Sequence, residues 1–252
     1  MVEHLVYTER VGGSSPSLPT SVVRHLALRA ASVLLCIVAL TSLSVSTRPA
    51  NAADSEMSFR LESLSGGKCG AKCPQVIVAD GVIEERTPEA FVAFATAAAS
   101  QAPLSGMILL NSPGGRVVAS MRLGDVFRKL KLAVAVAGYE RVGTRAGPTA
   151  GRCMSACVYA MMGAARRIVP PESQVGIHRM STTGYGESQA HQGSAPIVSY
   201  ADDAMVATLS RYTAQMGVNP AVIRTAETIA PENILILSPS RLRQWRLATA
   251  QF

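Results

Sequence analysis

The sequence predicts a single α/β domain behind an export leader. Three observations predict it: apolar runs of strand length alternate with amphipathic stretches of helix length, the first 52 residues read as a targeting segment, and the remaining length suits one core. Strands that alternate with helices imply stacked layers joined by right-handed crossovers.

The leader is read first, because it sets the compartment. Arg24 and Arg29 give a basic flank, Ala30 to Leu43 is apolar apart from two serines and Thr41, and Ala50-Asn51-Ala52 fits a small-x-small signal peptidase site. Export with cleavage before Ala53 is expected, which places the mature chain in the periplasm. The alternative is an uncleaved membrane anchor through residues 26–45, since Leu26 to Val45 nearly spans a bilayer. The whole chain has 24 basic and 17 acidic side chains; without Arg10, Arg24, Arg29, Arg48, Glu3 and Glu9 these become 20 and 15, a net charge of +5. The basic runs Arg128-Lys129-Leu130-Lys131 and Arg241 to Arg246 have helical spacing and little aromatic interleaving, so they read as solvated helix faces and no nucleic-acid partner is expected.

Four cysteines stay with the mature chain: Cys69, Cys73, Cys153 and Cys157. An even count in an exported protein suggests disulfides. On a regular helix, residues four apart have Cβ atoms roughly 5–6 Å apart, whereas a disulfide wants about 3.5–4.5 Å. If residues 153–157 are such a helix, Cys153 and Cys157 do not pair with each other, and the bridges cross from the Cys69/Cys73 loop. A four-cysteine zinc site is the rival arrangement.

Residues 53–74 are rich in Ser, Gly and Lys without sustained periodicity and read as a cysteine-containing leader or loop; residues 75–252 form the domain. Gln75–Ala79 is a buried strand ending at Asp80-Gly81. Thr87-Pro88-Glu89 starts a helix that runs to about Gln101. Met107–Leu110 is the next strand, broken by Ser112-Pro113-Gly114-Gly115. Val117–Leu130 is a helix whose buried face is Val118, Met121, Leu123, Val126 and Leu130. Leu132–Ala137 is a strand and Gly138–Gly151 a Gly-rich loop. Ser155–Gly163 has helix-forming composition, and Arg167–Val169 and Ser173–His178 read as strands. Thr182–Pro196 is loop-like, Ser199–Met216 is helical, and Asn219-Pro220 caps a helix to about Ala230.

The pieces between Asn111 and His178 have the parts acyl transfer needs: donors for an oxyanion, a nucleophile and a base. Gly114-Gly115 after a strand lets backbone approach a substrate with no Cβ in the way. Ser155, next to the small Ala156 at a predicted helix start, can expose its Oγ where free N–H groups favour negative charge, although an N-cap serine looks the same. His178 ends an apolar strand-like run, where a neutral imidazole can take the serine proton and return it, or simply be a structural histidine. The mature chain has one other histidine, His191, in the polar loop.

Asn111-Ser112-Pro113-Gly114-Gly115, Cys153-Met154-Ser155-Ala156-Cys157 and Gly176-Ile177-His178-Arg179, in that order, resemble the Clp protease proteolytic subunit and, more broadly, the Clp/crotonase fold. The resemblance covers roughly Val76 to Leu247 and implies a crotonase-like spiral of stacked ββα units. It is similar most of all to exported bacterial Clp-protease-like proteins with Cys-x-Ser-Ala-Cys around the serine. It implies Ser155 as nucleophile, His178 as base, Gly114 and Ala156 as oxyanion donors, and Gly115 as a binder of substrate backbone. The family places an aspartate before a step like Ile236-Leu237-Ser238-Pro239, where this chain has Ile234. Glu232 is the favoured replacement, with Asn233 next and Glu227, Asp202 and Asp203 as further possibilities. The loop 138–151 is longer than the family's turn, and Thr182–Pro196 lacks a recognisable oligomer-forming handle, so the family's sealed barrel is not carried over; a homo-oligomer stays open.

These readings predict an exported, ATP-independent serine peptidase or related acyl hydrolase acting on a peptide or loosely folded segment. No metal or cofactor is expected, and no Gly-x-x-x-x-Gly-Lys-Ser/Thr loop is present. The alternatives are a catalytically silent Clp-like binding or assembly module, and a crotonase-type acyl-thioester enzyme that needs coenzyme A.

Overall fold

The computed structural model describes residues 55–64, 75–143, 145–184 and 197–249, all within the unit Ser46–Phe252. The leader, its cleavage site, the anchor alternative, Cys69, Cys73 and His191 lie outside the described residues. Among the described residues no helix is long and apolar enough to cross a membrane.

The architecture is mixed α/β with mostly parallel strands in the main sheet. Strands β2 (Gln75–Asp80), β3 (Leu104–Asn111), β4 (Ala133–Val142) and β7 (Arg166–Ile168) run parallel. Val76, Val78, Leu109, Ala135 and Ile168 share one face of this sheet, while Ile77, Ala79, Ile108, Leu110, Val134 and Val136 point into the main core. That period of two, with both faces buried, is why the sequence shows continuous apolar runs rather than alternation. The core face is covered by α1 (Thr87–Gln101), α2 (Val117–Lys129) and α3 (Cys157–Gly163), with α4 (Asp203–Gln215) and α5 (Ala221–Ala226) adding Leu209, Tyr212 and Ile223. Phe91 and Phe127 meet edge to face at 5.1 Å with no solvent exposure, and each contributes about 2–3 kcal/mol by burial.

Three expectations are corrected here. Residues 58–63, expected as loop, form β1 (Ser58–Ser63), antiparallel to β2. Its alternation is too brief to stand out, and tertiary contact completes it: Phe59 packs on Phe91 and Phe94. The expected loop 138–151 is instead the far half of β4 paired with β5 (Arg145–Ala150) as an antiparallel hairpin. On α2 the buried stripe is Ala119, Ser120, Leu123, Gly124 and Phe127, whereas Val118 and Leu130 are exposed. Small residues are chosen there because α3 comes very close: a Cβ on Gly163 would lie 2.0 Å from the Gly124 carbonyl oxygen.

A second sheet, β6 (Arg152–Met154), β8 (Gln174–Ile177) and β11 (Leu235–Ile236), carries the serine and histidine segments side by side, with β6 and β8 parallel and β11 antiparallel. A hairpin of β9 (Ser181–Gly184) and β10 (Ile197–Tyr200) follows, so the helix expected from Ser199 begins only after Asp202, which caps α4 by accepting from Met205 N–H. The chain closes with α6 (Pro239–Gln244), capped by Ser238. Buried Arg167 ties this end down by donating to the carbonyls of Met162, Ala164 and Arg246. Burial, with Arg128 nearby, lowers its pKa to about 10.

Candidate active site

The site is built where β3 ends. Asn111 ties that end to its neighbours: its Oδ1 accepts from Arg152 N–H at 2.8 Å, and its Nδ2 donates to Asp80 Oδ1 at 3.2 Å. Ser112, fully buried, continues the pairing onto β6: its N–H donates to Arg152 O, and its carbonyl accepts from Met154 N–H. The chain then turns through Gly114 (φ +114°) and Gly115 (φ +135°), conformations that L side chains rarely adopt. Close approach demands glycine here as well. A Cβ on Gly114 would lie 2.8 Å from Met154 O and 2.9 Å from Ser155 Cβ, and one on Gly115 would lie 2.1 Å from Ile83 O.

Ser155 is a non-glycine residue at φ +53°. Such backbone persists only where its surroundings hold it, and it concentrates at functional sites. The surroundings are strong. Ser155 N–H donates to Gly176 O on β8 at 2.9 Å, its carbonyl accepts from Val158 N–H, and a disulfide joins Cys153 to Cys157 across it. That disulfide corrects the expectation that these cysteines bridge to Cys69 and Cys73, and it removes them from the four-cysteine zinc alternative. The reason is that residues 153–157 are not a regular helix: Cys153 is in β6, Ser155 makes a left-handed turn and α3 begins at Cys157, which brings the two Cα atoms to 5.2 Å. The described residues hold no cluster of three His, Cys, Asp or Glu suited to a metal.

His178 follows β8 directly. Its Nδ1 lies 2.9 Å from the carbonyl oxygen of Arg179. A carbonyl only accepts, so Nδ1 is the donor in this contact, and Nε2 has no hydrogen-bond partner among the described residues. Ser155 and His178 both line one small cavity of about 20 Å³, with an apolar wall that includes Met162, Ile177, Met180 and Val222. No hydrogen bond joins their side chains. Larger clefts of about 610 and 740 Å³ lie around Leu104–Ile108 and around Val169–Gln174, and neither is lined by a histidine.

The expected oxyanion donors Gly114 and Ala156 fare differently. Gly114 N–H is taken: it donates to Ser112 Oγ at 3.1 Å. Gly115 N–H and Ala156 N–H have no acceptor among the described residues, and Gly115 is exposed where Gly114 is buried.

Glu232, the expected acid, is exposed in the turn before β11 and makes no hydrogen bond or ion pair with a described residue. The Nδ1 position it was to fill is held by Arg179 O, so the expectation does not match the geometry. Asn233 is exposed too, Asp202 caps α4, and Asp203 lies in the first turn of α4. Glu227 sits closest to the histidine segment, 3.9 Å from Arg179 Nε. Its charge also adds to burial in raising the pKa of the Tyr159 phenol at the cavity wall. Main-chain groups are what the sequence reading missed at His178. A backbone carbonyl has no residue type, so no side-chain motif announces it.

No family model and no curated protein matches the chain. Among solved structures it is similar to a "1510-N membrane-bound stomatin-specific protease" in a serine-to-alanine mutant form, at 21% identity, covering 69% of this chain and 75% of that one, with a TM-score of 0.45. It is likewise similar to a lysine-to-alanine mutant of that protease in complex with a substrate peptide, at 22% identity over 69% and 71% of the two chains, again at 0.45. Likeness at that level leaves the chemistry of the site to the site's own geometry.

Proposed function

We propose that this chain is an exported serine peptidase or closely related acyl hydrolase that works without ATP, on a crotonase-like spiral of stacked ββα units. One observation carries the reading. A serine held in a left-handed turn shares a cavity with a histidine whose Nε2 has no hydrogen-bond partner among the described residues, and Ala156, whose N–H has no acceptor among them, lines the same cavity.

In this mechanism Ser155 Oγ attacks the substrate carbonyl carbon as His178 Nε2 takes the hydroxyl proton. The carbonyl oxygen, now negative, is received by Gly115 and Ala156 N–H, a revision of the Gly114 and Ala156 pair. Gly114 serves instead by lacking a Cβ, so that the turn can lie against Ser155. The imidazolium returns its proton to the leaving amine or alkoxide, an acyl-serine remains, and water attacks it with His178 again as base. Arg179 O stabilises the imidazolium through Nδ1–H. A neutral acceptor does this less well than a carboxylate, by on the order of 1–2 kcal/mol. Such a site is a slower relative of a full triad rather than an inert one, because the oxyanion donors act independently of the acid.

The leader supports export, and a peptide or loosely folded segment is the substrate this reading assigns. Self-association stays within this reading, and membrane attachment belongs to it only if residues 26–45 are retained.

Fluorophosphonate labelling of the purified protein tests the reading. Wild type is expected to label at Ser155, with the signal lost in Ser155→Ala and in His178→Ala. Absence of labelling in disulfide-bonded wild type would leave the silent binding module, a reading favoured by the missing hydrogen bond between Ser155 and His178.

A further inference from the structure

We infer that the Arg179 side chain is a positioning group for His178, set from the β9–β10 hairpin by Tyr200 and from the end of α5 by Glu227. The inference rests on the hydrolase reading only for its catalytic consequence.

Among the described residues His178 Nδ1 has one partner, the carbonyl of the very next residue. A carboxylate in that role would be carried by its own backbone and side chain. Here the orienting oxygen is as well placed as the Arg179 peptide is, so whatever fixes Arg179 fixes the imidazole. Three contacts do so. Its N–H donates to Ile229 O at 3.0 Å, its guanidinium lies 3.7 Å from the centre of the Tyr200 ring, and its Nε faces Glu227 Oε2 at 3.9 Å. Arg179 Nε is buried and makes no hydrogen bond, so the side chain depends on the aromatic face and the carboxylate for its place.

The topology gives the arrangement its reach. Tyr200 pairs with Ser181, only three residues beyond His178, and it is half exposed at the open side of the hairpin. When β10 is paired with β9, the ring meets Arg179. When that pairing is lost, Arg179 loses its cation–π contact and keeps only Ile229 O and Glu227, which loosens the hold on the Arg179 carbonyl at Nδ1. Where the carbonyl turns away, the imidazole has no acceptor on that side, and the tautomer that leaves Nε2 basic is no longer selected. Glu227 and Tyr159 are the other titratable groups close to this segment, from α5 and α3. The hairpin therefore sets how much of the protein holds a usable base.

The test reads the histidine directly. In full-length protein with 15N-labelled histidine, at a pH where the ring is neutral, the His178 ring nitrogens are assigned by their loss in His178→Gln and the Nδ1–H fraction is measured. Wild type is expected to be mainly Nδ1–H. Tyr200→Leu and Glu227→Gln, on different elements so that damage to the hairpin alone is recognised, are expected to lower that fraction. Tyr200→Phe, which keeps the ring face, is expected to restore it. On an activated ester kcat should follow the Nδ1–H fraction, falling about tenfold in the two disruptive variants with KM nearly unchanged. A wild-type ring that is mainly Nε2–H, or a fraction unchanged in both disruptive variants, would overturn the inference. A wild type with the expected tautomer that hydrolyses nothing would remove the hydrolase reading and leave the positioning role standing.

Discussion

The two halves of the site are held by opposite means. The Ser155 turn is fixed by backbone and covalent bonds: strand pairing through Ser112, the N–H of Ser155 to Gly176, a glycine wall, and the Cys153–Cys157 disulfide. His178 meets the Arg179 main-chain carbonyl, and Arg179 is held in turn by a backbone bond to Ile229 O and by side-chain contacts with Tyr200 and Glu227, neither of which is fully buried. The difference teaches where control of the chemistry resides. On the proposed mechanism, a nucleophile in strained backbone needs rigid support, whereas a base that only has to select a tautomer can be placed through the surroundings of one neighbouring residue.

Removing the rigid half should have the largest effects. Ser155→Ala is expected to lower hydrolysis by at least a thousandfold, with a thermal midpoint close to wild type; measured turnover on an activated ester and a melting curve check both. Gly115→Ala comes next. Its Cβ would meet Ile83 O at 2.1 Å, so the strand-end turn must shift, and activity should fall roughly a hundredfold through displacement of an oxyanion donor. Retained activity in Gly115→Ala would return that role to Gly114.

The disulfide tests the same half from the covalent side. Reduction, or Cys153→Ser with Cys157→Ser, should cost about 2 kcal/mol of stability for so short a loop. Activity should fall further than stability alone explains, because the turn at Ser155 loses its clasp. Equal activity with and without reductant would show that the backbone hydrogen bonds suffice.

A smaller effect comes from the packing behind the site. Burial raises the pKa values of the Tyr159 and Tyr212 phenols above the ordinary 10.0. The folded chain keeps these protons while the unfolded chain releases them, so stability is fully present below pH 10 and falls as pH rises beyond it. Tyr212→Phe should flatten that alkaline loss in denaturant titrations. It should also cost about 1 kcal/mol at neutral pH, because the phenol donates to the Tyr159 carbonyl at 2.9 Å. The smallest effect belongs to Glu232→Gln, expected to leave kcat within about twofold, since the side chain has no partner in the site. A large fall would restore Glu232 to the histidine.

Much of the fold is legible in the sequence alone. The strands expected at Gln75–Ala79 and Met107–Leu110, which lie within β2 and β3, and the helices α1 and α2 follow from apolar spacing and from Thr87-Pro88, because local pattern and element type agree there. The α2 face differs from the expected one, because apolar spacing does not mark a stripe of small residues that lets α3 approach. Segments 58–63 and 138–151 were misread for a related reason: an antiparallel partner turns a weak or polar sequence into strand, and a partner is not local information.

The same division runs through the site. The sequence by itself determined the residue types: a serine between two cysteines, a histidine at a strand end, and paired glycines at another, each readable because motif chemistry depends on side chains close together in the chain. The tertiary structure decided which cysteines bond, which glycine offers a free N–H, and what faces His178 Nδ1. Those outcomes hang on backbone direction: a positive φ at Ser155 brings Cys157 within reach of Cys153, Ser112 Oγ occupies Gly114, and the Arg179 carbonyl turns back onto the imidazole. Every residue carries the same N–H and C=O, proline's missing N–H aside, so folding alone selects the ones that act.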